Sequence, residues 1–143
     1  MTFSDLHAFI AAHPYAVLSP LAANGTPQSA LIGIAVTPNL EIIFDTLTTT
    51  RKYANLLANP TCSLVVGWDD EKTLQYEGTA LYPTGPDLTR YQATYFARWP
   101  DGRARLSWPH ITHLVVRPRW LRYSDFNQQP PAIKEFHLPP SVR

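Results

Sequence analysis

The sequence predicts a mainly β fold: one antiparallel, barrel-like sheet carrying a few short helices. Two observations predict it. About six runs rich in β-branched and aromatic residues follow one another, mostly joined by compact turn signals such as Asn24-Gly25 and Thr37-Pro38-Asn39. Helical stretches are few and do not alternate regularly with strands, which argues against a doubly wound parallel fold. The chain shows no internal repeat.

The first element is a helix over 2–12. Thr2 and Asp5 stand at capping spacing, and Leu6, Phe9 and Ile10 form one apolar face. Tyr15 to Ala22 reads as a strand, with Pro20 implying an edge or a bulge. After the Asn24-Gly25 turn, Pro27 to Val36 reads as one long strand that is apolar on both faces. Ala30, Ile32 and Ile34 point one way, and Leu31, Gly33 and Ala35 the other. Such a strand needs cover on both sides, and in a small antiparallel protein a second subunit is one source of it.

Leu40 to Thr46 gives the third strand, Cys62 to Trp68 the fourth, and Leu74 to Leu81 the fifth. The breaker cluster Pro83 to Pro86 precedes a helix, expected to be capped by Asp87 and to end near Arg98. Trp99 to Pro109 reads as a loop. Ile111 to Val116 and Trp120 to Ser124 read as the last strands, joined as a hairpin around Pro118. From Gln128 the chain holds four prolines and is expected to be extended or partly disordered, with Phe136 docking on a neighbour. Residues 1–126 are read as one domain and 127–143 as a Pro-rich tail.

Composition narrows the function classes. At 143 residues the chain has room for one proper core, and a hydrophobic fraction of 45% suits a globular domain. A formal charge of +1 argues against nucleic acid, which needs clustered positive charge. No transmembrane run or signal peptide is visible, so no membrane association is expected and the cytoplasm is the default location. The single Cys62 has no partner for an internal disulfide and reads as a buried structural thiol.

The most informative stretch is Phe44 to Leu57. A strand runs into Thr48-Thr49-Thr50, which suits a helix N-cap, and a helix then runs from Arg51 to Ala58 before Asn59-Pro60 stops it. Arg51 and Lys52 fall where the helix already carries about half a positive charge. Free N–H groups, threonine hydroxyls and two cations together suit a phosphate. A surface helix start, with basic side chains simply in water, is the other reading.

Other features point less far. His110 and His113 are three apart, and strand geometry would send them to opposite faces rather than to one metal. No metal site and no acid or base for catalysis is identified. Trp99 and Trp108 would cover either a flat ring or a subunit boundary.

The segment Phe44-Asp-Thr-Leu-Thr-Thr-Thr-Arg-Lys52, followed by Asn59-Pro60, resembles the pyridoxamine 5'-phosphate oxidase-like superfamily of flavin-binding split barrels. Asn24-Gly25-Thr26-Pro27-Gln28, Glu77-Gly78 and Arg117-Pro118-Arg119-Trp120-Leu121-Arg122-Tyr123 resemble further pieces of its pattern, in order, over roughly Tyr15 to Phe126. The resemblance implies a six-stranded antiparallel split barrel of the FMN-binding type, a homodimer with FMN at its interface. It implies that Arg51 and Lys52 bind the flavin phosphate with Thr50. Asp45 and Thr46 would meet the ring and ribityl chain, mainly through backbone and the threonine side chain. Ser29, Ala30, Leu31 and Ile32 would lie against the isoalloxazine, and Tyr123 and Trp108 would reach in from the other subunit.

By this resemblance the protein is expected to be an FMN-dependent oxidoreductase, using a small-molecule substrate or a nicotinamide donor. The alternatives are a non-catalytic flavin-binding or stress-associated module, or a relative using a deazaflavin. Three departures weaken the case for vitamin B6 phosphates as substrate. Ala30 stands where the oxidases carry an arginine, Thr73 replaces a glutamine, and the usual Arg-Leu-Ala-Pro ending is replaced by Pro139-Pro140-Ser141-Val142-Arg143.

Overall fold

The β-branched and aromatic runs pair into one eight-stranded antiparallel sheet in a computed structural model that describes residues 1–139. In chain order the elements are α1 (Phe3–Ala11), β1 (Tyr15–Pro20), β2 (Ala30–Gly33), β3 (Ala35–Val36), β4 (Ile42–Leu47), α2 (Arg51–Ala58), β5 (Thr61–Val66) and β6 (Lys72–Leu81). They continue with α3 (Gly85–Arg98), a 3-10 helix (Pro100–Ser107), β7 (Ile111–Asp125) and β8 (Ala132–His137). The strand order is β2-β1-β5-β6-β7-β4-β3, with β8 beside β7. Among the described residues no helix is long and apolar enough to cross a membrane.

The sheet curls into a nearly closed barrel because its two ends are one piece of chain. The run read as a single strand over 27–36 changes partner at Ile34: β2 pairs with β1, and β3 pairs with β4. Ile32 and Ile34 enter the barrel core with Leu18, Phe44, Leu64 and Tyr76. Leu6 and Ile10 of α1 pack into the same core. The α1 start is the expected capping box, with Thr2 and Asp5 satisfying each other's backbone N–H.

The second face of this run is covered partly from within the chain. Ala35 packs with Tyr91, Tyr95 and Phe96, all on α3, and the Trp99 ring lies over Gly33 while its Nε1 donates to the Ile34 carbonyl at 2.9 Å. Trp99 therefore covers its own strand with one part of its ring. Leu31 stays outside, 65% exposed.

Three expectations are corrected. Ile111 to Ser124 is not a hairpin: β7 is continuous, pairing along one edge with β6 and along the other with β4 and then β8. Glu77 faces Trp120 and Gly78 faces Pro118, so Arg119 bulges and the proline, which has no N–H for the ladder, is tolerated. Asp87 does not cap α3. Thr84 holds the N-cap position without a side-chain bond, and Asp87 pairs with Arg90 at 3.2 Å. The Pro-rich tail is extended but not separate from the barrel, since β8 joins the sheet and Phe136 packs on the core of its own chain and edge-on to Phe3. Residues 140–143 lie outside the described residues.

His110 sits in a left-handed turn (φ 67°) before β7, whereas His113 is buried on β7 between Tyr95 and Phe96. Burial lowers the His113 pKa below its ordinary 6.5; Asp45 opposes this and Arg105 adds to it. The unfolded chain takes up a proton near that ordinary value and the folded chain does not. Stability is thus complete above about pH 6.5 and falls as pH drops toward the depressed folded value. The urea midpoint is expected to fall between about pH 7.5 and 5.5, and His113→Phe should flatten that fall. An equally steep decline in the variant would contradict the assignment.

Candidate functional site

The β4–α2 junction builds a cationic corner from local chemistry. Thr50 is the N-cap of α2, and its Oγ1 accepts from the Tyr53 N–H at 3.4 Å. The same hydroxyl donates to the Leu47 carbonyl at 3.0 Å, so Thr46 Oγ1, 3.0 Å away, is the donor to Thr50. These bonds fix the turn at the end of β4 and leave the Arg51 and Lys52 N–H groups as open donors at the helix start. The helix has no acidic residue in its first turn, and among the described residues neither Arg51 nor Lys52 forms an ion pair.

A cavity of about 330 Å³ opens there, lined by Pro20, Gln28, Ser29, Ala30, Thr50, Arg51 and Lys52. No carboxylate lines it. Gln28 Oε1 accepts from Asn55 Nδ2 at 2.7 Å and so ties α2 to the segment entering β2. The fold thus brings together five of the residues singled out in the sequence, Ser29, Ala30, Thr50, Arg51 and Lys52, with Thr46 bonded directly to Thr50. This donor set fits a phosphate monoester: two cations and two free N–H groups converge beside the Ser29 hydroxyl with no competing negative charge. Thr50, expected to bind the phosphate, instead spends its hydroxyl proton on the Leu47 carbonyl and serves as the helix cap.

The other candidates lie apart. The Asp45 side chain faces away from Thr46 and accepts from Arg105 Nε at 2.7 Å. Arg105 also holds Asp101 at 2.7 Å and the Tyr95 hydroxyl at 3.3 Å, fastening the 3-10 helix to β4. Burial works against the Arg105 charge, but its bonds to Asp45 and Asp101 raise its pKa further. Burial, reinforced by Asp45, pushes the Tyr95 hydroxyl up to about 12. Only the Asp45 backbone is left to face a ligand at the corner. The Ile32 side chain belongs to the core and Leu31 points outward, so β2 presents Leu31 and backbone. Tyr123 packs edge-on to Phe9 at 5.3 Å and Trp108 is 53% exposed; neither lines the cavity of its own chain.

The corner continues onto the outer sheet face. Ser29 and Ser19 hydroxyls are 3.2 Å apart, and the register carries the row on through Ser63, Glu77, Trp120 and His137. A larger cavity of about 670 Å³ lies along this row. The sequence reading missed Gln28 and Arg105 as determinants of the site. Gln28 lay within the Asn24–Gln28 turn pattern; Arg105 carried no local signal, because its partner Asp45 is sixty residues away.

The sequence model described as pyridoxamine 5'-phosphate oxidase matches residues 4–137. No curated protein matches the chain. Among solved structures, the chain is similar to a heme binding protein from Mycobacterium smegmatis, with a TM-score of 0.81 at 14% identity over 96% of this chain. The chain spans 58% of that protein's length. It is also similar to a pyridoxamine 5'-phosphate oxidase-related, FMN binding protein from Nostoc punctiforme, with a TM-score of 0.70 at 13% identity over 89% of this chain and 82% of that one. A third likeness is a Clostridium acetobutylicum protein related to general stress protein 26, with a TM-score of 0.71 at 17% identity over 95% and 94%. At these identities the likeness shows a shared fold.

Proposed function

This chain belongs to the pyridoxamine 5'-phosphate oxidase family, and from that premise we propose that it binds FMN as a homodimer and acts as an FMN-dependent oxidoreductase on a small molecule. The observation that carries the reading is the pair of uncompensated cations, Arg51 and Lys52, at an open helix start that shares a cavity with Ser29 and Ala30. Arg51, Lys52 and the first α2 N–H groups hold the phosphate. Thr46 keeps Thr50 in place and faces the ribityl chain with the Asp45 backbone. The backbone of Ser29 to Ile32 supports the ring, and the exposed Leu31 meets its edge or the second copy. Tyr123 and Trp108 are assigned to the ring's far side, reached from the partner subunit.

The flavin supplies hydride or electron transfer; the protein supplies binding, orientation and electrostatics. A nicotinamide donor or a small-molecule substrate is the other reactant. The likeness to a heme binding protein supports a second reading, because heme propionates are also anionic. The absorption spectrum of the purified protein separates the two: flavin bands are expected, and a Soret band would favour heme. Reduction of the bound flavin by NADH or NADPH, with reoxidation by an added acceptor, is expected of an oxidoreductase. A flavin inert to both would leave a module that holds FMN without turnover. A dimeric mass at micromolar concentration is expected, and a monomer would remove the second-subunit roles of Tyr123 and Trp108.

A further inference from the structure

A separate cavity of about 390 Å³ opens beside α3, the turn before β4, the middle of β7 and the segment after β8. At its back, the buried Glu41 carboxylate accepts from the Tyr91 hydroxyl at 2.6 Å and from the Thr37 hydroxyl at 3.2 Å. Arg117 is the cation facing it, but its Nη2 stands 3.8 Å from Glu41, too far for a hydrogen bond. That nitrogen is buried and has no hydrogen-bond partner among the described residues. A buried guanidinium nitrogen with unplaced protons is uncommon in a native fold and calls for an acceptor. The ion pair to Glu41 is long, and the Arg117 side chain lines the cavity with 19% of its surface exposed. Arg90 brings a second cation to the same cavity, over the Tyr91 ring at 4.4 Å. Phe3, Pro118 and Leu138 supply apolar wall.

We infer that this cavity binds a small organic acid, a single carboxylate held by Arg117 and Arg90 with an apolar or aromatic body against Phe3, Pro118 and Leu138. The planar carboxylate matches the guanidinium fork. Glu41 already offsets part of the Arg117 charge, and Asp87 part of that of Arg90. Two cations against two carboxylates leave the site without a large net positive charge, so a singly charged carboxylate is favoured over the more highly charged phosphate. It shares no lining residue with the α2 corner, so the inference does not depend on flavin binding.

Calorimetric titration of the full chain with benzoate and with hexanoate tests it, with benzamide and inorganic phosphate as controls. Benzoate or hexanoate is expected to bind with a Kd of roughly millimolar order, as suits a fragment-sized ligand. Benzamide and phosphate should not bind. Arg117→Lys, which keeps charge and loses the fork, should weaken binding by about tenfold. Arg90→Gln should also weaken it, and its exposed position preserves the fold if Arg117→Lys does not. Arg51→Ala with Lys52→Ala should leave it unchanged. The inference is overturned by no binding of either acid at about 10 mM, by benzamide binding as well as benzoate, by phosphate displacing benzoate, or by unchanged affinity in both arginine variants.

Discussion

Replacing Arg51 and Lys52 together by alanine should weaken FMN binding by about a hundredfold or more while leaving the protein folded. Each charge-assisted contact to a phosphate contributes about 1.5–3 kcal/mol. Two of them lost together amount to about 3–6 kcal/mol, and each 1.4 kcal/mol is roughly a factor of ten. The fold should not suffer, because neither side chain makes an ion pair among the described residues and Arg51 is exposed. Both cations face the positive end of the α2 dipole, so removing them should raise stability by a few tenths of a kcal/mol. Fluorescence-quenching titration reads the affinity and a thermal melt reads the fold. Lost affinity with an unchanged or slightly higher Tm is the expected pair of results. A double variant that retains its FMN affinity would remove the phosphate assignment.

The largest stability effect is expected at Gly78. A Cβ there would lie 2.5 Å from the Arg117 carbonyl oxygen, 2.7 Å from Val116 Cγ1 and 3.0 Å from the Tyr76 ring. The nearest clash is with backbone of β7, where Arg117 pairs with Thr79 of β6 directly after the residues paired with β4, so no side-chain rotation relieves it. Tyr76 is fully buried, and its hydroxyl lies within 2.8 and 2.9 Å of the Leu40 and Val116 carbonyl oxygens, so it cannot retreat without loss. Overpacking of this kind costs about 3 kcal/mol, near the top of its usual range. For a chain of this size that is a Tm drop of roughly 6–12 °C. Gly25→Ala is a useful contrast: its Cβ meets nothing within 4 Å, so only the left-handed backbone (φ 83°) costs, about 1–2 kcal/mol. Calorimetry that finds Gly78→Ala no worse than Gly25→Ala would show that the bulge opposite Pro118 is looser than described.

What the sequence made legible was local. The α2 limits, Arg51 to Ala58, follow from a threonine cap, short apolar spacing and an Asn-Pro stop, all within ten residues. The Thr2–Asp5 box is local in the same way. The barrel class was legible because turn signals and β-branched runs repeat along the whole chain. Pro118 misled for a physical reason: a proline usually ends a central strand, and only the bulge opposite Gly78, forty residues earlier, lets β7 continue. Ala132 to His137, flanked by Pro130, Pro131, Pro139 and Pro140, gave no strand signal because its order comes from pairing with β7. Trp99 over Gly33, and Arg105 on Asp45, are complementarities between segments sixty or more residues apart, and no periodicity encodes them. At the site, the cations and the cap were readable, while the closeness of Ser29 and Ala30 to them depended on how β1 and β2 pair beside α2.

Equilibrium titration of the flavin-free protein with FMN and, in parallel, with riboflavin isolates the phosphate. The two ligands share ring and ribityl chain, so a corner built to hold the anion should favour FMN by at least about a hundredfold, with a preference that shrinks as salt is added. Equal affinities for the two at low salt would mean that Arg51 and Lys52 hold no phosphate.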